Sequence, residues 1–174
     1  MTYGNMGCVY EKLGKFEKAL EMHQKDLEIK LQAVGQHHVD VASTQVNIGI
    51  VLMNQGDYEN ALLHLQKGLE TRERALGSSH VSVANTYCNM GVVYEQQGNF
   101  QKALEMYEKD LEITIKCLGD SHVSVADTKN NIAIVYGKLG DQAKRLQLYR
   151  EAHSIYLRAL GPEHPNTRGI ARFI

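Results

Sequence analysis

Positive charge is not in excess in this sequence: 19 lysines and arginines face 20 aspartates and glutamates, a formal net charge of −1. Without a basic surplus there is no general electrostatic drive toward nucleic acid or anionic lipid. No apolar run approaches a bilayer crossing, and no signal peptide opens the chain. Neither a nucleic-acid nor a membrane partner is expected. Cysteine is scarce: Cys8, Cys88 and Cys117 are widely spaced and form no C-x-x-C pair or metal-type cluster. That usage suits a reducing compartment, the cytoplasm by default. Proline is nearly absent until Pro162 and Pro165, so nothing predicts a kinked helix. Enzyme signatures are missing too. Gly7 and Gly14 are wrongly spaced for a phosphate loop, and Lys15 is followed by Phe16 rather than Ser or Thr. There is no H-E-x-x-H, G-x-S-x-G or dinucleotide fingerprint. No catalytic residue, metal site or cofactor is expected.

What is present is periodicity. At 43% hydrophobic and 22% charged residues the chain reads as ordinary folded protein. Leu76–Thr86 reads LGSSHVSVANT, and Leu118–Thr128, 42 residues on, reads LGDSHVSVADT. In rows of 42, Gly14, Gly56, Gly98 and Gly140 share a column, as do Gly35, Gly77, Gly119 and Gly161. Gly7, Gly49, Gly91 and Ala133 form a column of small residues; His38, His80, His122 and His164 form another. Such register without an insertion is the mark of tandem duplication. One array over residues 1–174 is expected, with repeats at about 1–39, 40–81, 82–123 and 124–165 and a partial fifth helix over 166–174.

Each row holds two helices, predicted in the second row at about Val41–Gln55 and Tyr58–Leu76. Leu62, Leu65, Leu69 and Leu76 make the stripe of a helix with one buried face. Asp40, Ser82, Ser124 and Asn166 are the expected caps of the first helices, and Asp57, Asn99 and Asp141 of the second, with Lys15 the exception. The two main glycine columns lie just past helix ends, where a left-handed backbone favours glycine. Gly7, Gly49 and Gly91 are expected to face Ala19, Ala61 and Ala103, letting the helices of a pair approach closely. Equal joints between pairs generate a superhelix, so the fold class is all-α, a solenoid of four helix pairs plus a partial fifth.

Met90-Gly91, Tyr94, Ala103 and Tyr107 follow the small, aromatic, small, aromatic pattern of the tetratricopeptide repeat, which this chain resembles over nearly its whole length. The longer period, with Leu-Gly-x-x-His and a following Val-Ala, is similar to the repeats of kinesin light chains; LETRERALGSSHVSVA and LEITIKCLGDSHVSVA carry it. The light chains usually place Pro after the joint His; here Val39, Val81 and Val123 stand there, and only Pro165 agrees. The resemblance implies a right-handed α-solenoid of antiparallel pairs whose first helices line a concave wall, along which an extended peptide of a partner protein lies. It suggests a non-enzymatic interaction module of cargo-adaptor or scaffold type.

Mapped onto that wall, Asn5, Asn47, Asn89 and Asn131 form an unbroken column. A carboxamide carries donors and an acceptor, so one side chain pairs with both groups of a peptide bond. Asn54, Gln96, Asn130 and Lys138 complete the candidate peptide-binding set, beside apolar Ile50, Met53 and Val92. The second and third rows offer no lysine or arginine at these positions, so a carboxylate clamp is not expected. The four joint histidines do not predict a metal site: equivalent residues in successive pairs lie ~10 Å apart, whereas zinc needs its ligand nitrogens at ~2.0–2.1 Å from one centre. Each is expected to pack on its turn or bond to the backbone. His23, His64 and His153 read as ordinary helix-face residues, and the carboxylates of EKALEMHQKDLE and QKALEMYEKDLE as solvated partners of lysine.

The fourth repeat departs from the pattern: Arg145 replaces the alanine of Ala19, Ala61 and Ala103, and must splay its pair or snorkel outward. The chain is expected to start inside a helix with no cap before Met1, and Ile170, Phe173 and Ile174 to form an apolar lid on repeat four. Uncapped, similar ends leave a second reading open, a homo-oligomer stacking end to end.

Overall fold

The computed structural model describes residues 2–174; Met1, where the first repeat was expected to open, lies outside them. Among the described residues every regular element is helical: α1 Tyr3–Lys12, α2 Phe16–Val34, α3 Val39–Gln55, α4 Tyr58–Leu76, α5 Val81–Gln96, α6 Phe100–Leu118, α7 Val123–Lys138, α8 Gln142–Leu160 and α9 Pro165–Ala171. Each helix packs on the next in sequence, the layout of an all-α solenoid. The core is a chain of clusters rather than one nucleus. Ile48, Leu65, Leu69, Val83 and Val93 join α3, α4 and α5. Leu104, Tyr107, Ile132 and Val135 join α6 to α7, and Ala133, Tyr149, Tyr156 and Ile170 join α7, α8 and α9.

The helix ends are written twice over. Within a pair, the chain turns on a glycine with positive φ, such as Gly56 at φ 84° and ψ 6°, and the next residue's N–H reaches back to the helix, Asp57 to the Leu52 carbonyl at 2.9 Å. Asp57, Asn99 and Asp141 then cap α4, α6 and α8 as expected, and Lys15 makes no side-chain cap. Between pairs the cap differs from expectation. Asp40, Ser82, Ser124 and Asn166 are not the N-caps; His38, His80, His122 and His164 are. Each Nδ1 accepts the backbone N–H two residues on, at 3.2, 3.1, 3.2 and 3.2 Å. Nδ1 hangs from Cγ as Oδ1 of Asn or Asp does, so a neutral imidazole reaches the same orphan N–H. α3 therefore starts at Val39, two residues earlier than predicted. The array's first helix is also capped: the Thr2 hydroxyl accepts the Asn5 N–H.

Close approach within a pair rests on the small column: a Cβ on Gly49 would lie 3.1 Å from the Ala61 carbonyl oxygen, as expected, and the tightest partner is the side chain one turn beyond. A Cβ on Gly49 would lie 2.8 Å from Leu65 Cγ, and one on Gly91 2.6 Å from the Tyr107 ring. The equivalent partner of Gly7 is His23, which is buried at 0% exposure and is not the helix-face residue its chemistry suggested. Asp26 and Asp110 are likewise buried rather than solvated. They accept from threonines of the next pair: Thr44 gives its hydroxyl to Asp26 at 2.7 Å, Thr128 to Asp110 at 2.5 Å. Lys30 also reaches Asp26, at 2.6 Å. At the middle junction the pattern inverts: Arg72 donates to the Ser82 carbonyl and the Thr86 hydroxyl, at 2.9 and 2.8 Å.

In the fourth pair Arg145 snorkels. Its Cδ lies 2.9 Å from where a Cβ on Gly137 would sit, and its guanidinium covers the rings of Tyr149 and Phe173 at 5.4 and 5.7 Å. The expected lid is only partly formed: Ile170 is 4% exposed and Phe173 stacks on Tyr149 with centroids 5.3 Å apart, but Phe173 and Ile174 remain 54% and 45% exposed.

Candidate peptide groove

The first helices of the pairs, α1, α3, α5 and α7, meet through side chains 43 residues apart. Asn54 Nδ2 donates to Glu11 Oε1 at 3.5 Å, Asn131 Nδ2 contacts Cys88 Sγ at 3.7 Å, and Lys138 Nζ donates to Glu95 Oε1 at 2.9 Å. The first contact joins α1 to α3 and the other two join α5 to α7, while α3 and α5 pack against each other without such a bond among the described residues. Glu95 also ties this wall to the core, accepting the buried Tyr107 hydroxyl at 3.0 Å.

The eight candidates divide by how they are used. Asn54, Asn131 and Lys138 are engaged in rungs to the neighbouring helix. Asn47 and Asn89 are half-buried, and among the described residues no side-chain hydrogen bond engages their carboxamides. Asn5 and Gln96 are exposed, near opposite ends of their helices. Asn130 is half-buried and lines a cavity of about 560 Å³ between α7, α8 and α9, with Asp127, Ile134, Tyr149, Tyr156 and Phe173. Asp127 and Tyr156 were not in the candidate set; the Tyr156 hydroxyl donates to Asp127 at 2.6 Å. Asp127 was legible as a groove position, but its partner lies on a second helix and carries no groove signal.

The electrostatics of the wall are those of weak, neutralised charge. Burial pushes the Cys88 thiol up to about 12, with Asp110 adding to it, so this cysteine is a neutral, unreactive wall residue. Burial raises the Glu11 carboxyl, and Lys12 opposes it. The joint histidines stay apart, each on its own cap, and among the described residues no three metal-ligating side chains converge. His37 sits against Arg74, with Nδ1 2.8 Å from the guanidinium. His64 pairs with Gln45 at 2.6 Å. Lys109, the lysine in the second half of QKALEMYEKDLE, lies over the Tyr87 ring.

Tetratricopeptide repeat profiles match residues 1–40, 40–116 and 97–157. The chain belongs to the tetratricopeptide repeat family. No curated protein matches it. Among solved structures it is similar to BtubC (BKLC) of P. vanneervenii, 25% identical, with a TM-score of 0.82 over 94% of this chain and 65% of that one. It is also similar in fold to a putative kinesin light chain of Podosopora anserina with nearly identical TPR-like repeats, 20% identical, with a TM-score of 0.81 over 98% of this chain and 81% of that one. A singly substituted form of the latter superposes with a TM-score of 0.82 at the same identity. The chain thus shares the fold of that kinesin light chain's repeats, and its family is a protein-interaction module in general. Among the described residues no helix is long and apolar enough to cross a membrane.

Proposed function

We propose that the concave wall holds an extended, uncharged or amphipathic segment of a partner protein, in a cargo-adaptor or scaffold role without catalysis. The observation that carries this reading is the pair of unengaged carboxamides, Asn47 and Asn89, at equivalent positions on neighbouring helices and flanked by half-buried Ile50 and Val92. Neighbouring first helices lie ~10 Å apart, about three residues of extended chain at ~3.3 Å each. One carboxamide then meets the peptide backbone every third residue, fixing direction and register with little demand on sequence. Neutral amide bonds contribute about 0.5–1.5 kcal/mol each, so losing both rungs costs roughly tenfold or more in affinity. Peptides selected from a random library on the intact chain supply the probe. N47A/N89A should bind them at least tenfold more weakly with unchanged helical circular dichroism; equal affinity refutes the ladder. Three free cysteines support a reducing, cytoplasmic setting.

The second reading is end-to-end stacking into a homo-oligomer through the similar helix pairs. Scattering against concentration separates the two: a constant single-chain mass favours the groove.

A further inference from the structure

His23 is the one titratable side chain in a column otherwise held by Leu65, Tyr107 and Tyr149 that ionises near neutral pH. It is 0% exposed, and neither ring nitrogen has a hydrogen-bond partner among the described residues. Its ring lies so close to α1 that a Cβ on Gly7 would stand 2.6 Å from Cε1 and 2.7 Å from each nitrogen. Only the absence of a side chain at Gly7 lets helix and ring meet. A neutral imidazole here leaves one donor and one acceptor unpaired. An imidazolium would leave two donors and a net charge where water has no access. We propose that His23 makes the docking of α1 on α2 acid-labile: protonation of its ring undocks α1 while the later pairs stay folded.

The surrounding charges do not rescue the cation. Along α2, Asp26 favours it and Lys30 opposes it, but the Asp26 carboxylate is committed to Lys30 at 2.6 Å and to Thr44 at 2.7 Å. Burial works against that carboxylate, yet those bonds hold it below the ordinary range, so it stays ionised throughout the window below. α1 presents Gly4 and Gly7 to this side. Its Glu11 faces Asn54 of α3, and Lys25 lies over its Tyr3. α3 contributes the neutral Thr44.

Burial therefore holds the docked ring below its ordinary 6.5, with Asp26 opposing the effect and Lys30 assisting it. The undocked ring titrates at 6.5. Docking is at full strength above that value and weakens as pH falls below it, by up to about tenfold per unit until the docked ring itself titrates. Glu11, raised by burial, has the opposite sign and cannot cause this loss. His64 is also lowered by burial, but it sits on α4 and bonds Gln45 of α3, so its titration acts one pair further on.

The test is hydrogen exchange on the intact 174-residue chain at pH 7.5 and 5.5, expressed as protection factors so that intrinsic rates cancel. Protection of the α1 amides should fall about tenfold while that of α5 and α6 holds. H23L, which installs the residue found at Leu65, should abolish the fall. A nuclear magnetic resonance titration on unmodified protein gives a second readout, with the His23 ring titrating below 6.5. Equal α1 protection at both pH values, a fall that survives H23L, or a ring titrating at or above 6.5 each overturns the proposal.

Discussion

Gly91→Ala probes what holds the helices of a pair together. The new Cβ would lie 2.6 Å from Tyr107 Cε1, 2.7 Å from Cδ1 and 3.0 Å from Cζ, where ordinary contact begins near 3.4 Å. Ring or helix must retreat by about 0.8 Å, the gap between 2.6 and 3.4 Å. The ring has little freedom to do so. Tyr107 is 0% exposed, and its hydroxyl is held by Glu95 at 3.0 Å. Overpacking of this kind costs about 1–3 kcal/mol. Alanine recovers about 1 kcal/mol over glycine inside a helix. The net loss is then small, and one melt would not isolate the contact.

Gly169→Ala supplies the reference. It lies in α9 with nothing within 4 Å of its added Cβ, so only the propensity gain remains. The contact energy is the difference between the two variants, about 1–3 kcal/mol in favour of G169A. Hydrogen exchange of the amides around each substitution, in α5 and α6 for G91A and in α9 for G169A, set beside urea unfolding, reads each variant locally where an array is not two-state. G91A as stable as G169A would refute the close-approach account. The fourth pair shows what relieving the contact requires: Ala133 coexists with Tyr149, but Gly137 stands where Glu95 anchors Tyr107, and the Tyr149 ring stacks on Phe173 instead.

Two further outcomes are expected. H80A should lose about 1 kcal/mol of stability in chemical denaturation as the cap of α5 disappears, whereas H80N, whose Oδ1 replaces Nδ1, should stay within a few tenths of wild type; equal losses in the two would refute capping by the ring. Asp110 is 3% exposed and has only neutral donors, and burial raises its carboxyl above 3.8 against the pull of the Thr128 and Thr114 hydroxyls and the Cys88 thiol. Its stabilising contribution is therefore complete below 3.8 and lost as pH rises through the folded value. D110N should be at least as stable as wild type at pH 7 and lose that part of the pH slope; an unchanged slope in midpoint against pH would refute the assignment.

The helices were legible because three physical codes agree along the chain: apolar stripes, glycines where φ is positive, and caps at fixed offsets. The misreadings arose where side-chain chemistry was weighed ahead of register. Asp40, Ser82, Ser124 and Asn166 are better capping types than histidine, but they vary, while His38, His80, His122 and His164 do not. An unvarying column marks the position that the backbone uses. His23 has the chemistry of a surface residue, but its column, read across, holds Leu65, Tyr107 and Tyr149 and announces a core site. Asp26 and Asp110 were hidden the same way, and the threonine column Thr44, Thr86 and Thr128 was the signal that polar groups meet at each junction. In the groove the limit is different. The asparagine column is visible, but whether a carboxamide is free depends on the helix beside it. Asn131 is engaged because Cys88 stands opposite, and the residue in the Cys88 column one repeat earlier is Val46. A valine has no lone pair to offer, so the same residue type is engaged at one rung and open at the one before it. A repeat array thus acquires free and engaged carboxamides by changing the neighbour of an invariant residue, and the column next to the one that does not vary decides which is which.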